Sequence, residues 1–125
     1  MAVQAFSAIR SYEDIEAFKR GMGLLPPVHR LVLKLPTYER YELASQMRRA
    51  SKSVPTNIAE GYGKRRSARN FKMYLEHALG SSNEMMVHMQ IAECLDYVRP
   101  EDCADLITQY RSISQMLVRL IEKWQ

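Results

Sequence analysis

Residues 71–92 read FKMYLEHALGSSNEMMVHMQIA. Within them Phe71, Leu75, Ala78, Ser82, Met85, Met89 and Ala92 recur in strict alternating steps of four and three. That repeat keeps one side of an α-helix turned toward a partner along its whole length, so the stretch predicts a long, straight helix of the bundle type. A second stripe, Tyr74, Ser81, His88, Ile91 and Leu95, lies beside the first. Together they offer more apolar surface than a single bundle needs, which predicts a contact between copies of the chain.

Working outward toward the C-terminus, Tyr97 to Pro100 reads as a turn, with Pro100 suited to the first position of a helix that Glu101, Asp102 and Asp105 open. Its seam is Cys103, Leu106, Tyr110, Ile113, Leu117, Leu120 and Trp124. Toward the N-terminus, Gly61 to Arg66 reads as a loop and Ser67 as the cap of the long helix. The helix before that loop is predicted to start at Thr37, its N-cap. It turns Leu43, Ala44, Met47, Ala50, Ser51, Val54 and Ile58 inward, bends at Pro55, where a backbone donor is missing, and stops at Gly61. The first helix is predicted from Ser11, with the stripe Ile15, Phe18, Met22, Leu25, Val28, Leu31 or Val32, and Leu35. Because this stripe keeps its phase across Pro26 and Pro27, one kinked helix is preferred to two. Four helices with short connections predict an all-α, antiparallel up-down-up-down four-helix bundle over residues 11–125, preceded by a loose arm over residues 1–10.

A chain of 125 residues, 46% hydrophobic and 26% charged, fits one ordinary globular domain. No apolar run approaches the ~20 residues that cross a bilayer, and MAVQAFSAIR lacks the pattern of an export signal, so no membrane contact and a cytoplasmic location are expected. Cys94 and Cys103 flank the expected turn near Pro100. A disulfide between them is geometrically conceivable, but two reduced thiols are expected in that compartment. They form no CxxC pair and so no usual zinc signature.

Charge is uneven. Arg48, Arg49, Lys52, Lys64, Arg65, Arg66, Arg69 and Lys72 stand against the single acid Glu60, a net of +7 in a chain whose total is +4. Concentrating charge this way points to an anionic partner for one face. Lysine and arginine there would neutralise phosphates, and Tyr62, flanked by glycines, would stack on an unpaired base, which favours RNA or single strands over duplex DNA. The alternative is a solvated loop whose charges pair with acids of a protein partner or a neighbouring subunit.

The run Ser53-Val54-Pro55-Thr56-Asn57-Ile58-Ala59-Glu60-Gly61, followed by Lys64-Arg65-Arg66-Ser67 and then Phe71, Tyr74 and Leu75, resembles the signature of a bacterial four-helix-bundle family. That family comprises the proteins encoded in intervening sequences of 23S ribosomal RNA genes. Gln46 to Ala50 before the run, and Ala78 to Ser81 with Glu84 after it, extend the resemblance, which spans Tyr12 to the C-terminus. It implies an up-down bundle, a homopentameric ring and no enzymatic activity. The accessory protein of diversity-generating retroelements, a basic bundle that engages nucleic acid, is similar. The chain departs from the family at Pro26-Pro27 and in having Phe18 where an early tryptophan is common.

Ser53, Pro55, Asn57, Glu60 and Gly61 are read as architectural. Asn57 and Glu60 form either a buried polar pair that sets register or oligomeric state, or a capped helix end at Gly61. Glu84 and His88 share a helix face with His77 and Ser81 nearby, but a di-metal bundle needs a second Glu-x-x-His motif, and the chain has none. Gly61-x-Gly63-Lys64 lacks the spacing of a phosphate loop, and the serines lack an orienting third residue for nucleophilic catalysis. The sequence therefore predicts no cofactor, no metal, no small-molecule substrate and no catalysis. Its expected role is a homo-oligomeric bundle that binds nucleic acid, RNA foremost, with a protein-binding assembly module as the alternative.

Overall fold

The computed structural model describes residues 9–125. The arm expected over residues 1–10 lies outside them except for Ile9, which packs against the edge of the core, and Arg10. The described residues form five α-helices: α1 (Glu16–Gly23), α2 (Leu25–Val32), α3 (Leu43–Gly63), α4 (Ala68–Cys94) and α5 (Pro100–Lys123). Among the described residues there is no strand.

The first helix departs from expectation at both its start and its middle. Ser11 does cap, but it caps a single 3-10 turn, Tyr12–Asp14. Its Oγ accepts the Glu13 amide at 3.0 Å, and Asp14 Oδ2 accepts the Ser11 amide at 3.1 Å. The α-helix begins only at Glu16. The expected single kinked helix is divided at Leu24, just ahead of the prolines. Pro26 and Pro27 then occupy the first turn of α2, where a missing N–H leaves no intrahelical bond unmade. Leu24 itself keeps right-handed helical dihedrals, so the interruption is one residue long.

The next helix also begins later than expected. Thr37 opens another 3-10 turn, Thr37–Glu39, and α3 starts at Leu43. Glu39 explains the delay: its Oε1 accepts the Leu43 amide at 3.1 Å, while its Oε2 accepts the Tyr97 hydroxyl at 2.7 Å. The carboxylate thus caps α3 and ties the α2–α3 connection to the α4–α5 connection, where Asp96 takes the left-handed conformation at φ 61°. Hydrogen bonding to Tyr38, and then to Glu39, pushes the Tyr97 phenol above its usual range. Pro55, where a bend is expected, lies inside α3, which runs unbroken past Gly61 to Gly63.

Pairs of touching residues show how the helices run. From α3 to α4, Gly61 meets Phe71 and Tyr74, and Ser53 meets Ser81. From α4 to α5, Phe71 meets Trp124 at 4.7 Å between ring centroids, and Ser114 donates to Ser82 at 2.8 Å. In each pair one number rises as the other falls, so neighbours are antiparallel. The first arm closes the square: α1 packs on both α3 and α5, and α2 on α3. Gly21 allows the close approach of α1, since a Cβ there would lie 3.2 Å from Val54 and 3.4 Å from Pro55. All seven residues of the α4 repeat are buried, as are the α5 seam residues Cys103 through Leu120, while Trp124 is partly buried against them. The second α4 stripe divides. Tyr74 and Ser81 are half-buried and His88 is buried, whereas Ile91 and Leu95 are 38% and 50% exposed.

Both cysteines are free thiols, Cys94 exposed and Cys103 buried, and burial pushes the Cys103 thiol up to about 11. Among the described residues, no helix is long and apolar enough to cross a membrane.

Candidate nucleic-acid interface

The eight cations of residues 48–72 fall into two groups. Lys52 and Lys64 are separated by twelve residues along α3, a rise of about 18 Å.

The first group sits on the N-terminal half of α3. Arg48 is half-buried and its guanidinium donates to the Arg40 carbonyl at 3.1 Å, fastening the α2–α3 connection. Arg49 and Lys52 are exposed, and their side chains make no hydrogen bond or ion pair with the described residues. They border an open groove of about 410 Å³ between α3 and α4, whose other walls include Ser53, Thr56, Asn57, Ser81 and Glu84.

The second group surrounds the α3–α4 turn, and here two expectations are corrected. Gly61 does not stop the helix. It lies buried within α3, where a Cβ would come 2.5 Å from the Tyr74 Cβ and 3.1 Å from the Phe71 ring, so only glycine permits the two helices to meet there. Tyr62 is not a loop residue offering its ring to a base. It is 7% exposed, in α3, with Phe71 edge-on at 6.0 Å and the Arg65 guanidinium over its ring at 4.1 Å. The turn proper is only Lys64 to Ser67.

Two of the turn cations are held back by aromatic residues. Arg65 also donates to the Tyr62 carbonyl at 3.0 Å. Lys64 donates to the Tyr74 hydroxyl at 2.8 Å, lies 4.8 Å from that ring and 3.8 Å from the Glu60 carboxylate. The hydrogen bond to Tyr74, more than the pull of Glu60, raises the Lys64 pKa. Nothing in the sequence pattern singles out Tyr74 as a partner for Lys64. The two are ten residues apart, and only the reversal at the turn joins them.

Arg66, Arg69 and Lys72 remain. Arg66 and Arg69 are exposed and Lys72 half-buried, and none of the three side chains has a hydrogen bond or ion pair among the described residues. Ser67 caps α4 as expected, its Oγ accepting the Asn70 amide at 3.1 Å. The first turn of α4 holds no acid. The positive end of the helix dipole therefore faces cations where anionic side chains are ordinarily favoured.

The expected Asn57–Glu60 pair does not form. Asn57 Nδ2 donates to the Ser53 carbonyl at 2.9 Å and to Ser53 Oγ at 2.8 Å, and the Ser53 and Ser81 hydroxyls meet at 2.8 Å across the helix pair. Glu60 is exposed and turned to Lys64. With the Thr56 hydroxyl donating to the Lys52 carbonyl, these polar side chains bracket Pro55, which is buried and removes one bond from the ladder. Glu84 and His88 do pair, at 2.8 Å, and the His77 ring packs edge-on to Tyr74 at 5.8 Å. Among the described residues no cluster of three or more metal-ligating side chains occurs.

Residues 13–119 match the model of a family described as 23S rRNA-intervening sequence protein. No curated protein matches the chain.

Proposed function

The chain belongs to the 23S rRNA-intervening sequence protein family, and from that premise we propose that it is a non-enzymatic, self-associating bundle that binds RNA through the α3–α4 turn. The observation that carries this reading is the set Arg66, Arg69 and Lys72. Three cations without partners gather at the positive end of α4, an arrangement that repels itself and that phosphates would relieve. Lys64 and Arg65 support the same surface, but their contacts to Tyr74 and Tyr62 make them braces first. The family's name, which refers to ribosomal RNA, favours RNA among anionic partners.

Self-association, with a ring of five as its expected form, rests on the exposed apolar residues Val87 and Ile91 of α4 and Leu95 at its C-cap, at 50%, 38% and 50%. Repeating the cationic turn in every subunit would raise a weak contact through avidity.

The test is fluorescence anisotropy of a labelled single-stranded RNA over a salt series, using the intact chain and a variant with Arg66, Arg69 and Lys72 changed to glutamine. The slope of log affinity against log salt should fall by about 2 in the variant, the loss of three phosphate contacts on a single strand. Binding that ignores salt, or a variant indistinguishable from the parent, would reject the RNA reading in favour of a protein partner. Light scattering on the same samples reads the oligomeric mass.

A further inference from the structure

The groove between α3 and α4, well away from the turn, carries unused hydrogen-bonding capacity of a definite kind. Asn57 Nδ2 is directed at a backbone carbonyl, that of Ser53, and at Ser53 Oγ. Because a carbonyl only accepts, the amide orientation is chemically forced, and Asn57 Oδ1 is left as an acceptor with no partner among the described residues. The Ser53 and Ser81 hydroxyls have two hydrogens between them and use one in their mutual bond. Whichever donates, one hydroxyl hydrogen is left over. The groove wall therefore presents one acceptor and one donor side by side, both half-buried.

Arg49 and Lys52 stand at the rim without partners. The one carboxylate in the groove, Glu84, is engaged by His88 Nε2 at 2.8 Å on its own helix. A group that both donates and accepts, with an anion on either side, is what this arrangement complements. A ribose 2′-hydroxyl between two phosphodiesters has that chemistry, and a deoxyribose lacks it.

Resting on the RNA reading given above, we infer that this groove is a ribose-selective subsite: Asn57 Oδ1 accepts from the 2′-hydroxyl, the Ser53–Ser81 pair donates to it, and Arg49 and Lys52 hold the flanking phosphates. The rise of about 18 Å from Lys52 to Lys64 lets a single strand held at the turn continue along α3 into the groove.

The experiment compares three labelled oligonucleotides of one sequence, as RNA, as 2′-O-methyl RNA and as DNA, binding to the intact chain at low salt. RNA should bind about tenfold more tightly than DNA, with 2′-O-methyl RNA close to DNA, because the methyl ether accepts but cannot donate. Asn57→Ala, and the double variant Ser53→Ala with Ser81→Ala that removes both hydroxyl hydrogens, should each bring the RNA-to-DNA ratio near one while leaving DNA affinity unchanged. A merely structural role would instead weaken all three probes together. The double serine variant removes only two half-buried hydroxyls and decides the matter if Asn57→Ala fails to fold, with the thermal melt by circular dichroism as the check. Equal binding of RNA and DNA, or a preference that survives in both variants, overturns the subsite while leaving the RNA-binding turn intact. Binding of none of the probes overturns both.

Discussion

At the turn end of the α3–α4 pair, Gly61 presses against Phe71 and Tyr74 so closely that no Cβ fits. About two helical turns earlier the same two helices meet through the hydroxyls of Ser53 and Ser81 beside an open groove. One pair of helices thus makes a closed apolar contact and an open polar one. The difference lies in what fills the space between the backbones. At the turn a missing side chain draws the helices together and lets Phe71, Tyr62 and Trp124 close over the end of the core. At the groove small hydroxyl side chains bridge the gap, and their leftover donors and acceptors remain reachable from solvent. The cations follow the same division: Lys64 and Arg65 are braced by aromatic rings near the closed contact, whereas Arg49 and Lys52 border the open one without partners.

Stability measurements can break or sharpen this contrast. The largest effect is expected from Phe71→Ala, which empties a fully buried site touching Tyr62 and Trp124 and should cost about 4 kcal/mol in urea unfolding. Gly61→Ala should follow at about 2 kcal/mol, because the Cβ meets the Tyr74 Cβ, near the backbone, where a neighbour cannot swing aside. If it proved neutral, the turn would not be a closed contact. At the groove Ser53→Ala should cost only about 1 kcal/mol, since it removes the hydroxyl bridge from half-buried groups that water can reach. A loss as large as that at Gly61 would show the two contacts to be equivalent. The smallest effect, and one of opposite sign, is expected from Gly63→Ala: a Cβ there meets nothing within 4 Å, no glycine among the described residues has a positive φ, and the change should stabilise by about 0.5 kcal/mol. Two glycines two residues apart would then answer the same substitution in opposite directions.

Much of the scaffold is legible in the order of residues. The four-three repeat of α4 and the seam of α5 from Cys103 to Leu120 are buried residue for residue, because side chains spaced at the helical period have one face to share and burial is the strongest force acting on it. The helix starts are less legible. Ser11 and Thr37 both have the chemistry of an N-cap, yet each belongs to a 3-10 turn, and the group that caps α3 is Glu39, placed by a hydrogen bond from Tyr97 fifty-eight positions away. Tyr62 misleads for a related reason. Two glycines and a run of cations look like a loop, although Gly61 and Tyr62 continue the three-four spacing of Val54 and Ile58, and both are buried on that face. Local propensity favours a loop there and the apolar phase favours a helix; the phase prevails because it buries Tyr62 against Phe71.

The candidate site divides in the same way. Composition alone identifies Arg48 to Lys72 as the charged segment, since charge is a property of residues whatever their arrangement. Which cations have partners is decided by the fold, because the turn brings Tyr74 to Lys64 and the helix brings Tyr62 beneath Arg65, while Arg66, Arg69 and Lys72 meet nothing comparable among the described residues. The amino-acid order therefore determined the four-helix pattern, the buried faces and the total charge to be placed, through periodicities and formal charges that act over one or two turns. Only the tertiary structure decided that Gly61 is a contact point, that Tyr62 lies inside, and that Asn57 faces a groove with a free acceptor. Each of these depends on how closely two helices approach, a distance set jointly by side chains far apart in the chain.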